Sequence, residues 1–221
     1  MSTLKLDERW TEAEFLAWQT GQSERYELVD GMPLRMMSGA RRAHDRVVRN
    51  VIVQLGTQLR GKPCEAFTAD FAVRTGPDQI RRPDAGIDCA PEEAEGADDE
   101  LVANDPRLVV EVLSPSTRRF DLFDKLTEYQ RVESLRHILY IDPDAVAVRH
   151  WYREGGGWAL RVLEPGIGAE ALDGAVEAPD LDLRLALTDV YEGTLALRDA
   201  AASDAAVSEA AASLDTPPPP A

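Results

Sequence analysis

Hydrophobic positions in this chain alternate between a period of two and a period of three to four, and the switches divide it into elements. Thr11-Glu12-Ala13-Glu14 has the form of a capping box and predicts a short helix to about Gln19. Arg25 to Val29 reads as a strand, Asp30-Gly31 as a hairpin turn, and Met32 to Met37 as the return strand. From Ala40 to Leu59 the residues Val47, Val48, Val51, Ile52, Leu55 and Leu59 make one apolar helical stripe. Cys64 to Arg74 alternates as a strand, with a turn at Gly76-Pro77-Asp78, and Ile80 to Cys89 reads as the next strand. Arg107 to Leu113 is nearly continuous in apolar residues, the pattern of a central strand covered on both faces. Ser116 or Thr117 is placed to cap a helix to about Val132, with Phe120, Phe123, Leu126 and Tyr129 inward. Ile138 to Ile141 is a further strand, stopped at Asp142-Pro143. Val146 to Arg153 and Trp158 to Leu163 predict a hairpin around Gly155-Gly156-Gly157. Short strands near Val176 and at Leu181 to Leu187 precede a helix from Val190, capped by Thr188 or Asp189.

The core order is helix, strand, strand, strand, helix, strand, with one crossover helix before the last strand. That order predicts an α/β fold: a mixed β-sheet flanked by helices, with an extra C-terminal β-hairpin. From Ala200 the chain is rich in Ala, Ser and Asp and ends in Pro217 to Pro220. Residues 194–221 therefore read as an acidic Ala/Pro-rich tail, disordered or a frayed helix. No stretch approaches the roughly 18 apolar residues of a membrane span. The polar stretch Met1 to Trp10 lacks a signal-peptide core, so a cytoplasmic protein is expected. Cys64 and Cys89 are then expected as reduced, buried thiols, and without a CxxC or His/Cys cluster no structural zinc is expected.

The formal net charge of −16 argues at first against a nucleic-acid partner. Its distribution weakens the objection. Asp88 to Asp105 holds eight acids and no base, and the segment from Gly193 onward is also acidic. Basic residues gather elsewhere, at Arg41, Arg42, Arg46 and Arg49, at Arg81 and Arg82, and at Arg118, Arg119 and Lys125. The local field, rather than the total charge, decides where a phosphate approaches.

The most informative residue is Glu111, a carboxylate in the middle of Val109-Val110-Glu111-Val112-Leu113. A carboxylate in so apolar a strand binds a metal, pairs with a cation, or does chemistry. Asp84 opens the preceding apolar stretch, and the two meet if their strands are neighbours. Mg²⁺ needs only one or two carboxylates besides water and phosphate. Lys125 lies on the following predicted helix, one turn from Asp121, which shares its face. Taken alone, Lys125 reads as a surface lysine paired with Asp121 or Glu128, and Asp84 as a turn residue. Taken with Glu111, they are what a magnesium-dependent phosphodiesterase needs. Glu27, in the strand Tyr26-Glu27-Leu28-Val29, is either a third ligand or solvent-facing. His44 lies near a helix start beside Arg41 and Arg42, and reads equally as a phosphate contact or a structural residue. No Walker loop, GxGxxG or GxSxG is present.

At these residues the chain resembles the Uma-two family of restriction-endonuclease-like proteins in the PD-(D/E)XK nuclease superfamily. The matching pieces are Tyr26-Glu27-Leu28-Val29-Asp30-Gly31, Met37-Ser38-Gly39-Ala40 with His44, and Pro83-Asp84. Val110-Glu111-Val112-Leu113-Ser114-Pro115-Ser116-Thr117 with Asp121, Lys125 and Tyr129 follows, and then Ser134-Leu135-Arg136 and Leu187-Thr188-Asp189-Val190-Tyr191-Glu192-Gly193. Each piece is weak; their ordered set is specific, and it makes residues 1–193 the nuclease domain. The resemblance implies a restriction-endonuclease-like sheet and metal-dependent cleavage. It implies Mg²⁺ or Mn²⁺ on Asp84 and Glu111, Lys125 as the catalytic cation, Glu27 assisting and His44 in support, while the i, i+4 spacing makes Asp121 the residue expected to hold Lys125 in position. Leu113 stands where many superfamily members carry lysine, so the cation is expected from Lys125 instead. Arg81-Arg82 precede Pro83 where relatives look more aromatic. The expected partner is DNA, met by Arg41, Arg42, Arg82, Arg118 and Arg119, with a homodimer a further option and no membrane. Two alternatives stay open: a nuclease-fold nucleic-acid-binding or protein-interaction module that does not cleave, and a hydrolase of small phosphate esters.

Overall fold

The structure is a computed structural model in which residues 9–36, 41–89, 99–114, 124–164 and 172–214 are described, the last eight of these as backbone only. The first helix, α1 (Glu12–Gln19), begins as expected. The Thr11 hydroxyl accepts from the Glu14 amide, and the Glu14 carboxylate accepts from the Thr11 amide. The hairpin β1 (Tyr26–Val29) and β2 (Met32–Arg35) turns through Asp30 and Gly31, both at positive φ, the geometry of a tight two-residue turn. The long helix α2 (Arg42–Gln58) buries Val47, Val51 and Leu55, the predicted stripe.

The next two predicted strands are each cut in two. Cys64 to Arg74 forms β3 (Glu65–Thr68) and β4 (Val73–Gly76), and Ile80 to Cys89 forms β5 (Gln79–Arg81) and β6 (Ala85–Asp88). The halves belong to different sheets. β2-β1-β5-β4 is a four-stranded sheet, whereas β3 and β6 enter a six-stranded one. The break at 82–84 contains Pro83, which has no amide proton to continue a ladder. Arg82 braces both breaks: its guanidinium donates to the carbonyls of Tyr26, Ala69 and Asp70.

The large sheet runs β10-β9-β8-β7-β6-β3. It is built on β7 (Pro106–Val112), β8 (His137–Asp142), β9 (Ala147–Glu154) and β10 (Gly157–Leu163). β7 and β8 are parallel and every other pair is antiparallel, so the sheet is mixed. The single parallel pair is the one joined by the predicted crossover. Of that crossover the structure describes a helical turn at Asp124 and Lys125 leading into α3 (Leu126–Tyr129). The predicted cap residues Ser116 and Thr117, and Phe120 and Phe123, lie outside the described residues.

One face of the large sheet, with Leu108, Val110, Leu139, Ile141 and Val148, packs on α2 and on the hairpin β11 (Ala175–Ala178) and β12 (Leu183–Ala186). The other face, with Val109, Leu113, Ile138 and Tyr140, packs on Phe67, Val73 and Tyr129. Gly86 is needed where β6 passes Phe67, since a Cβ there would lie 2.2 Å from the ring. A smaller core joins α1 to the four-stranded sheet through Trp10, Phe15, Trp18, Leu28 and Ile80.

Two further expectations are corrected. The predicted helix from Val190 is interrupted: α4 (Leu187–Val190) ends, Gly193 takes φ 71°, and α5 (Leu195–Leu214) starts afresh. Tyr191 causes the interruption. Its buried hydroxyl accepts from the Ala147 amide and donates to the Ala147 carbonyl, which pins the chain to β9. Thr194, not Thr188 or Asp189, then accepts from the Leu197 amide at 3.1 Å. The cysteines are not free thiols but a Cys64–Cys89 disulfide. Glu65 pairs with Asp88 across β3 and β6, so Cys64 and Cys89 stand opposite each other one step beyond, with Cα atoms 4.1 Å apart.

His137 and His150, which carried no sequence signal, form a buried pair. His137 Nδ1 lies 2.9 Å from His150 Nε2, and His137 Nε2 lies 2.7 Å from Asp180 Oδ1. Burial, then the His137 imidazole and Arg161, push the His150 pKa down to about 4, against the pull of Asp180. An unfolded chain with an ordinary histidine takes up a proton between that value and about 6.5 while the folded chain does not. Stability is therefore full above pH 6.5 and falls as the pH drops toward 4, by on the order of 3 kcal/mol from this group. Urea melts of wild type and His150→Asn across pH 4–7 should show a steeper acid loss in wild type, and parallel curves would contradict the assignment.

Candidate active site

β6 and β7 bring the two predicted carboxylates to one place. Ala85 pairs with Val110 and Gly86 with Val109, and one more step of that register sets Asp84 across from Glu111. Directly opposed residues of an antiparallel pair have Cβ atoms about 4.5–5.5 Å apart. Asp84 is held there because its Oδ2 accepts from the Val112 amide at 2.8 Å. Glu111 is only 4% exposed.

Lys125 is not a surface lysine. Its side chain is 8% exposed, and its Nζ donates to Glu111 Oε1 at 2.9 Å and lies 3.4 Å from Glu27 Oε1. Tyr129, one turn further along α3 and fully buried, donates its hydroxyl to the same Glu111 oxygen at 2.7 Å. Burial and the neighbouring Glu111 and Glu27 charges hold that hydroxyl well above its ordinary pKa, so it stays a donor at neutral pH. Glu27 faces inward, not solvent: its Oε1 accepts from the Arg82 amide and its Oε2 from Arg81, both at 3.0 Å.

Arg81 is fully buried between β1 and α3. It grips Glu128 with two parallel bonds, Nε to Oε2 at 2.6 Å and Nη2 to Oε1 at 2.5 Å, the geometry that makes arginine the preferred partner of a carboxylate. Thr75 Oγ1 adds a third bond to Glu128 at 3.2 Å. The sequence placed Arg81 in a basic cluster and Glu128 beside Lys125, but made neither a site residue. The available signal was an arginine beside Ile80 at the start of an apolar run. Glu128 looked like a surface partner of Lys125, whereas the geometry gives it to Arg81.

His44, on the first turn of α2, places its Nε2 3.4 Å from Asp84 Oδ2. Burial lowers its pKa, but the Asp84 carboxylate, the Val112 carbonyl and the Glu111 charge together carry it above the ordinary value. The predicted phosphate contacts divide. Arg42 is exposed at the start of α2, and Arg41 is half-exposed and paired with Asp144 at 2.6 Å. Arg82, expected to meet a phosphate, is 5% exposed and is spent on backbone carbonyls. Asp121, Arg118 and Arg119 lie outside the described residues.

The donor chemistry suits a hard dication. Asp84, Glu27, Glu111 and Glu128 supply four carboxylates against Arg81 and Lys125, so among these six side chains two negative charges are left over. Among the described residues no three His, Cys, Asp or Glu side chains form a metal-binding cluster. Mg²⁺ keeps waters and takes one or two carboxylates, which Asp84 and Glu111 would supply.

A mixed sheet flanked by helices, with paired carboxylates and a buried lysine at one end of two interior strands, is the architecture of a restriction-endonuclease-like α/β protein. The chain belongs to the Uma2 family, described as "Putative restriction endonuclease", whose profile matches residues 12–184. It is 25% identical over 182 residues to the uncharacterized protein slr1290 of Synechocystis sp., covering 81% of this chain and 90% of that one. It is 27% identical over 156 residues to sll1609 of the same organism, covering 69% and 86%. Among solved structures, a protein of Anabaena variabilis ATCC 29413 described as a "putative nuclease belonging to DUF820" superimposes with a TM-score of 0.63 at 17% identity, covering 82% of this chain and 97% of that one. At that identity the likeness speaks for the fold. Among the described residues no helix is long and apolar enough to cross a membrane.

Proposed function

We propose that the protein is a divalent-metal-dependent endonuclease that hydrolyses phosphodiester bonds in DNA. The observation that carries this reading is the meeting of Lys125 with Glu111, on the strand that also binds Asp84 through the Val112 amide. Asp84 and Glu111 would hold Mg²⁺ or Mn²⁺, which when bound polarises a phosphate and acidifies a water. Lys125 offsets the negative charge that develops on the phosphate. Glu27 and Tyr129 act through others: Glu27 faces the ammonium, and Tyr129 orients Glu111. His44 supports Asp84, and Arg41 and Arg42 bring fixed positive charge to the same end for the substrate backbone.

Plasmid nicking tests the reading. Wild type is expected to nick supercoiled DNA with Mg²⁺ or Mn²⁺ and to stop when the ion is chelated, and Glu111→Ala should be inactive with both ions. Activity indifferent to chelator would refute the metal role. The net charge of −16 favours a second reading, a nuclease-fold module that binds without cleaving. Affinity of Glu111→Ala for DNA that falls steeply with salt, beside an uncleaving wild type, would select it.

A further inference from the structure

Among the described residues Arg81 is the largest of the fully buried side chains. Its bonds to Glu128 lead to α3, and its bond to Glu27 leads to β1. Asp124 and Lys125 form a helical turn that runs into Leu126–Tyr129. Side chains of this stretch tie it to both sheets. Lys125 and Tyr129 both end on Glu111 Oε1, and Glu128 ends on Arg81 of β5 and Thr75 of β4. The first two share one carboxylate oxygen with whatever chemistry Glu111 performs. The third ties α3 to the other sheet by two short bonds to one guanidinium, where Lys125 reaches that sheet only at 3.4 Å, on Glu27.

We infer that Arg81 is a positioning residue: through its two bonds to Glu128 it sets the height of α3, and with its third nitrogen on Glu27 it aligns the carboxylate that faces the Lys125 ammonium. The clamp keeps Lys125 in place while the charge on Glu111 is engaged elsewhere. Its catalytic meaning rests on Lys125 being the charge-stabilising group proposed above.

The chain contains only three lysines, Lys5, Lys62 and Lys125, so amine labelling can be read site by site. Brief treatment with acetic anhydride, followed by peptide mass spectrometry, measures how often Lys125 is exposed. In wild type Lys125 should label far more slowly than Lys62. In Glu128→Gln the rate at Lys125 should rise about tenfold through local opening, with Lys62 unchanged. The same variant should lose kcat for nicking while KM for the plasmid stays near wild type, and Glu128→Asp, which keeps the charge, should recover much of both. Wild-type protection of Lys125 in a folded Glu128→Gln protein would overturn the clamp. If Glu128→Gln gives no cooperative melt, Thr75→Val is read instead, since it removes only one bond to Glu128 and keeps every charge. A smaller rise at Lys125 then supports the clamp and no rise overturns it. Labelling needs no cleavage, so a wild type that nicks nothing removes the functional reading and leaves this test intact.

Discussion

Lys125→Ala is expected to slow metal-dependent nicking by about 10²–10³, the usual effect of removing one group aimed at developing charge. The loss should fall on kcat, because the Lys125 side chain is 8% exposed and its ammonium is bonded to Glu111. Lys125→Arg should recover little. The guanidinium is larger and planar, and the pocket formed by Glu111 and Glu27 accepts a single point charge at 2.9 and 3.4 Å. Single-turnover nicking at saturating enzyme separates this from weakened binding, and a Lys125→Ala enzyme within about threefold of wild type would remove the residue from the chemistry.

The largest expected change in stability comes from Arg81→Met. It leaves Glu128 with the Thr75 hydroxyl alone of its observed partners, and takes from Glu27 its arginine. Removing one side of a buried ion pair costs about 3–5 kcal/mol, because the other charge stays behind without its partner. With a urea slope of about 1–3 kcal/mol per molar, the midpoint should fall by about 2 M. Adding Glu128→Leu to Arg81→Met should regain part of that loss, since an apolar pair of similar volume replaces the stranded carboxylate. Additive losses in the double variant would show that Arg81 and Glu128 do not act as a pair.

The helices and strands that bury one clear face were legible from periodicity: α1 from its capping box, α2 from its stripe, β7 from its apolar run. Glu111 was legible for the same reason, as an exception in that run. What the pattern could not carry was the passage of the chain between sheets. Cys64 to Arg74 and Ile80 to Cys89 each read as one strand, and a strand pattern does not record which partner a strand takes. Pro83 was visible, but Arg82 reads as a surface base unless one knows that three carbonyls converge on it. The Arg81–Glu128 pair and the disulfide escaped for a related reason. Each joins residues distant in sequence whose meeting depends on register, and register is set by the whole sheet. The interruption at Tyr191 is similar, since a single hydroxyl bonded to Ala147 outweighs a helical pattern that runs on.

The chain leaves the six-stranded sheet after Thr68, supplies β4 and β5 to the four-stranded one, and returns at Ala85. The two sheets are thus interleaved along the polypeptide, and no single cut yields two fragments that each keep one sheet whole. A split-protein design or a gene fusion that exchanged one sheet for a foreign one would have to cut three passages between sheets, one through α2 and two at the breaks after Thr68 and before Ala85. The last two fall beside residues described above, Arg82 bracing each and Asp84 closing the second.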